Sequence, residues 1–174
     1  MKRFFIALTC CMVSMFTFAD NTVEVKTGAK ELKAAYSDNA VAALVIDWSD
    51  TKYDHEKTIK EFWGEKYDFF IKECEAKFKT GFDEKSKGLK LDKSGEPKYK
   101  ITLKVTNLDR YVNVMNIVPG FTVKVWGMVI VAAADGTEIA RIDIDSMKGN
   151  RDFSLDDAFG KAFYILGKRV ASAK

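Results

Sequence analysis

The chain has 174 residues, 30% charged and 47% hydrophobic, with two prolines, three cysteines and a formal net charge of +3 at neutral pH. That composition excludes a disordered tail, a collagen-like rod and a disulfide-stapled miniprotein, and it supplies one substantial core. Lys2 and Arg3 fall in a leader; without them 26 basic residues face 25 acidic ones, a balance that makes no general case for nucleic-acid binding.

Lys2-Arg3 precede an uncharged stretch from Phe4 to Phe18, and Thr17-Phe18-Ala19 stand before Asp20, the pattern of a secretory signal with a small-residue cleavage site. Thr9, Ser14 and Thr17 interrupt the stretch, which falls short of the roughly 20 apolar residues that cross a bilayer. Residues 1–19 are therefore expected to be cleaved, leaving no membrane span and a periplasmic or secreted chain. Lipid attachment at Cys10 or Cys11 is the lesser reading, since neither follows a small residue and a full apolar stretch. Cleavage leaves Cys74 alone, so no internal disulfide can form, and its place in an apolar stripe reads as packing.

Residues 20–174 fit one domain. Thr22 to Lys26 alternate as a half-buried strand that Gly28 ends, and Glu31 to Tyr36 read equally as a helical turn or a strand. Val41 to Ile46 form a continuous apolar run, which predicts a central strand covered on both faces or nearly so. Asp54 to Lys79 predict one long helix: Ile59, Trp63, Tyr67, Phe70, Cys74 and Phe78 recur at spacings of three and four, and Phe62, Phe69 and Ile71 widen that face. Residues 84–98, with Gly88, Gly95 and Pro97 among charges, predict a loop.

Tyr99 to Thr106 then alternate as a strand with one wet face, and Thr122 to Ala133 make a longer one. Asp135-Gly136 is a two-residue hairpin signal leading into Glu138 to Asp145, where Ala140, Ile142 and Ile144 take the core side. Ser154 starts the last helix as its cap, with Asp157 placed to reach back in a capping box. Leu155, Phe159, Ala162, Phe163, Leu166 and Val170 form its stripe, while Gly160 and Gly167 allow a close neighbour. This order predicts an α+β fold: a two-layer sandwich with a mixed, mostly antiparallel sheet of about five strands packed against two helices.

Chemistry-bearing groups are sparse. His55, the one histidine, is near Asp47, Asp50, Asp54 and Glu56, but the spacing fits neither a calcium loop nor a zinc pair, and Asp54 and Glu56 suit a helix's first turn. Asp143 and Asp145 share a strand face with Arg141, which reads as a solvated surface. Lysines 85, 87, 90, 93, 98 and 100 make a basic loop diluted by Glu84, Asp92 and Glu96. No phosphate loop, nucleophile elbow, Cys-x-x-Cys or His-Glu-x-x-His occurs, so no catalytic residue, metal ligand or cofactor is assigned.

A leader, a short strand, a buried strand ending Ile46-Asp47-Trp48, an aromatic helix, Tyr99-Lys100-Ile101-Thr102-Leu103 and a final helix with Tyr164-Ile165-Leu166-Gly167-Lys168 follow in order. In this the chain resembles uncharacterised envelope proteins of gut-type bacteria. At greater distance it is similar to α/β modules of the TolB-amino-terminal and curli-secretion-lipoprotein type. The resemblance spans most of the mature chain; it implies work through protein association in the envelope and supplies no catalytic residue. The expected function is thus a non-enzymatic exported module that binds a protein or envelope component. Its contact is a sheet edge or the apolar segment 111–121, through Tyr111, Val114, Met115, Ile117 and Phe121. The alternative is a small-ligand pocket between sheet and long helix, walled by Trp63 and Tyr67; a hydrolase built on His55 and its acids comes third.

Overall fold

The computed structural model describes residues 22–92, 95–112 and 120–174. In chain order these form β1 (Thr22–Thr27), α1 (Ala29–Ser37), β2 (Val41–Asp47), β3 (Lys52–Tyr53), β4 (Lys57–Thr58), α2 (Ile59–Trp63), a 3-10 turn (Gly64–Lys66) and α3 (Tyr67–Lys85). There follow β5 (Lys90–Leu91), β6 (Tyr99–Val112), β7 (Phe121–Ala133), β8 (Glu138–Lys148) and α4 (Leu155–Val170). The architecture is α+β. Its single mixed sheet has eight strands rather than about five, and α1 and α2 join the two helices that the sequence pattern marks. The extra strands are pairs of residues, too short for an alternating pattern to register.

The sheet runs β1-β8-β7-β6-β2-β5, with the β3–β4 hairpin added on the far half of β6. Strands β6, β7 and β8 form an antiparallel meander, and β2 lies parallel to β6. One sheet face carries Ala42, Leu44, Ile101, Leu103, Val123, Val125, Val129, Val131, Ala140 and Ile142, all buried. Against it lie α1 through Leu32 and Ala35, α3 through Phe70, Cys74, Phe78 and Phe82, and α4 through its full predicted stripe. The described core residues form one cluster, running from Leu32 to Ala171.

Four local readings need correction. The long helix is two helices. Thr58 caps α2, its Oγ1 accepting from the Glu61 amide at 3.2 Å while the Glu61 carboxylate accepts from the Thr58 amide at 2.7 Å. Gly64, at φ 53°, then breaks the run before α3, which continues to Lys85. Asp54 and His55 sit at φ 51° and 61° in the turn between β3 and β4, so they are not first-turn residues of a helix.

Strand β2 is covered on one side only: Val45, pointing away from the helices, is 41% exposed. Its outward residues are apolar without being buried, and apolarity alone does not tell the two cases apart. At α4, Ser154 Oγ accepts from the Asp157 amide at 3.4 Å, but the Ser154 amide turns to the Asp152 carboxylate instead of Asp157.

Candidate functional site

Strands alternate sides, so a sheet whose helices cover one face presents a second face. On β7 that face carries Lys124, Trp126, Met128 and Ile130; the last three remain partly exposed. Thr102 and Lys104 of β6 pair with Ile130 and Met128 and stand beside them, and Val45 pairs with Thr102 from β2. Arg141 and Asp143 of β8 border the row on the other side through their pairing with Ile130 and Met128. The result is an apolar strip about three residues long, edged by charges of both signs. Lys104 reaches Asp47 at 3.8 Å, and Arg141 reaches Glu138 at 2.9 Å.

A β-bulge shapes the far end. The register of β6 against β7 shifts between Val105 and Asn107, which turns Asn107 and Asp109 to this second face and Leu108 to the core. Asn107 is 4% exposed and grips His55 twice: its Oδ1 accepts from the His55 backbone amide at 3.0 Å, and its Nδ2 lies 3.1 Å from His55 Nε2. With Oδ1 so engaged, Nδ2 is the donor and Nε2 the acceptor. The imidazole rests edge-on to Trp126 at 5.5 Å between centroids. Asp54 accepts from the Arg110 amide at 3.1 Å, and burial together with the neighbouring Asp54 carboxyl raises Asp109 above the ordinary carboxylate range. His55 thus works as a structural peg; Asp47 is instead taken up by Ser49 and Lys104. No group of three or more metal-binding side chains forms among the described residues.

Tyr111, 48% exposed, continues the second face past Asp109, with the Lys148 ammonium 5.3 Å from its ring centroid. Phe121 points the other way and packs against the core, its backbone bridging Asp152. Val114, Met115 and Ile117 lie outside the described residues. Trp63 stacks on Phe70 at 4.4 Å and meets Phe159 edge-on at 5.5 Å, inside an aromatic cluster with Phe62 and Tyr53. Tyr67 is half-buried under the Lys60 ammonium. Neither lines the groove at the carboxyl ends of α3 and α4 or the groove that runs along the seam between the two helices.

The row Trp126, Met128, Ile130 escaped the sequence reading, although its signal was there. Both alternating sets of residues 122–133 are mostly apolar, while two amphipathic helices on one side can cover only one set.

No protein-family model matches the chain, and no curated protein does. Solved structures similar to it include the PelC dodecamer of Paraburkholderia phytofirmans, at 9% identity and TM-score 0.45 over 88% of this chain and 98% of that one. Another is a DUF330 protein of Xanthomonas campestris, at 9% identity and TM-score 0.38 over 77% and 82%. A third is a neuraminyllactose-binding hemagglutinin homolog of Helicobacter pylori, at 12% identity and TM-score 0.39 over 78% and 83%. These likenesses do not show a link to TolB-type or curli-secretion modules.

Proposed function

We propose that the protein is exported past a leader at residues 1–19 and that residues 20–174 act in the cell envelope as one non-enzymatic binding module for a protein or envelope component. Its contact is the second sheet face, centred on Trp126 and reaching Tyr111. One observation carries this reading: a Trp, a Met and an Ile stand in consecutive outward positions of a central strand and keep solvent exposure, with Val45 41% exposed beside them. Such a strip with a charged rim is the anatomy of a protein contact, in which a buried Trp commonly dominates the affinity.

The test is a photoreactive amino acid placed at Met128, at Tyr111 and, as a control, at the exposed helix position Lys72, followed by irradiation of intact cells. The expected result is one discrete adduct shared by Met128 and Tyr111, absent from Lys72, and weakened by Trp126→Ala. Equal labelling from all three positions, or an adduct indifferent to Trp126, would remove the sheet face from consideration. Amino-terminal sequencing of the exported form checks the leader and is expected to begin at Asp20.

A further inference from the structure

At the other end of the molecule α3 and α4 finish side by side. They run in the same direction, since Phe70 meets Phe159 near their starts and Phe78 and Phe82 meet Gly167 near their ends. The face of α1, the loop after α3 and the residues after α4 enclose a groove of about 820 Å³, within the range of small-molecule sites. Lys30, Lys33, Lys85, Lys87 and Lys174 line it, and no Asp or Glu among the described residues does. No ion pair joins any of the five to a described residue.

Lysines gather at helix C-termini for an ordinary reason, because each end carries about half a negative charge. Two parallel helix ends amount to about one charge, and here other groups already serve them. Lys90 Nζ donates to the Asp83 and Ser86 carbonyls at 2.5 and 2.6 Å, and Ser172 Oγ donates to those of Lys168 and Arg169 at 2.9 and 3.1 Å. The five rim lysines are therefore surplus to the helix ends. A second observation is independent of them: Ser86 is only 5% exposed, lines the groove, and its buried hydroxyl has no hydrogen-bond partner among the described residues. A buried hydroxyl normally has one.

The floor decides between occupants. It is largely apolar, built from the Tyr36 ring, Ala171 and Ala173, with the Tyr36 hydroxyl turned away to the Val170 carbonyl at 2.9 Å. A free phosphate or sulfate has no use for such a floor, and a neutral apolar ligand gains nothing from five ammonium groups. We propose that this groove seats an anionic phospholipid, its phosphate among the lysines and on the Ser86 hydroxyl, its glycerol and acyl carbons on the floor. The groove shares no residue with the second sheet face, so the two proposals stand or fall separately.

The protein spanning residues 20–174, which contains every described core residue, is mixed with vesicles of phosphatidylglycerol and phosphatidylcholine, or of phosphatidylcholine alone, and sedimented. Binding is expected only with phosphatidylglycerol. The quadruple variant Lys30→Glu/Lys33→Glu/Lys85→Glu/Lys87→Glu should weaken it by about tenfold or more at unchanged thermal midpoint, in line with the contribution of a basic residue near an anionic bilayer. Ser86→Ala, which keeps every charge, should weaken it about threefold, as the loss of one hydrogen bond does. Reversing Lys52, Lys57, Lys66 and Lys72, exposed and away from the groove, should leave binding intact. The proposal is overturned if phosphatidylglycerol vesicles do not sediment the protein, or if the control variant loses as much as the groove variant. Equal binding by Ser86→Ala and wild type, or complete displacement by millimolar inorganic phosphate, likewise replaces a seated lipid with diffuse adsorption or a free anion.

Discussion

Gly167 of α4 lies against the backbone of Phe78 in α3, so close that a β-carbon on it would stand 2.1 Å from the Phe78 carbonyl oxygen. Gly81 does the same in reverse, its β-carbon position falling 2.0 Å from the Tyr164 carbonyl oxygen. Two glycines, one from each helix, thus set the spacing of the parallel pair. Gly160, two turns earlier on α4, has ordinary room, with Lys77 Cγ at 3.6 Å. The two substitutions to alanine should therefore differ in sign. Gly167→Ala forces the helices apart and should cost about 2–4 kcal/mol, whereas Gly160→Ala gains helix propensity and should stabilise by up to about 1 kcal/mol. Urea midpoints of the two variants decide it; equal effects would mean that side chains, not glycines, set the spacing.

A second contrast lies on the aromatic stripe. Trp63 stacks on Phe70 and meets Phe159 edge-on, yet its Nε1–H has no hydrogen-bond partner among the described residues. Phe69, predicted to widen the same stripe, is 69% exposed. Trp63→Ala should cost about 3–5 kcal/mol, and Trp63→Phe much less, because it keeps a ring and removes an unpaired donor. Phe69→Ala should change stability by less than about 0.5 kcal/mol. A Trp63→Ala variant as stable as wild type would show that the ring is not a core element and would return it to the ligand-pocket reading.

These two contrasts also mark how far the sequence could be read. The stripes of α3 and α4, the Asp135-Gly136 turn and the core side of β8 follow from period and turn chemistry alone, because each records a local rule. The bulge at β6 does not. Scanned by period, the alternation that starts at Tyr99 stops at Thr106, but the strand continues to Val112 with its sides exchanged, a shift that only pairing with β7 can hold. Gly64 was equally hidden, since one glycine within a run of periodic apolar residues is compatible with an unbroken helix; the Thr58–Glu61 cap and the turn at His55 mark where the first helix starts, and Gly64 at φ 53° marks where the run divides. The groove at the helix ends was illegible for another reason. Its lysines come from three separate stretches, and only folding brings Lys30 and Lys33 beside Lys85, Lys87 and Lys174.

Cys74 gives a direct check on packing. It is 1% exposed on α3, and burial pushes its thiol well above the ordinary range. A thiol so held is inert, since the thiolate is the reactive species. Ellman's reagent should modify residues 20–174 only as fast as the protein unfolds, and the rate should rise steeply through the urea transition. Rapid labelling of the native protein would contradict the burial of the α3 stripe.

The final prediction turns on two aspartates with opposite responses to acid. Burial, with Asp54 beside it, raises Asp109, whereas the hydrogen bond from Lys161 holds Asp152 below its ordinary value. A carboxyl whose folded value is raised weakens the fold while it is charged; that penalty is present at pH 7 and is relieved as pH falls through the folded value, fully so below the unfolded value of about 3.9. A carboxyl whose folded value is depressed strengthens the fold above about 3.9, and that contribution is lost as pH falls through the folded value. Asp109→Asn should therefore raise the thermal midpoint at pH 7 and lose its advantage below about pH 4. Asp152→Asn should lower the midpoint at pH 7 and converge on wild type in acid. The Asn side chain can still accept from the Phe153 amide, as Asp152 does at 2.6 Å, so the comparison isolates charge. An Asp109→Asn midpoint at or below that of wild type at pH 7 would show that the Asp54–Asp109 pair carries no penalty in the folded state, and an Asp152→Asn midpoint at or above it would show that the bond from Lys161 adds no stability.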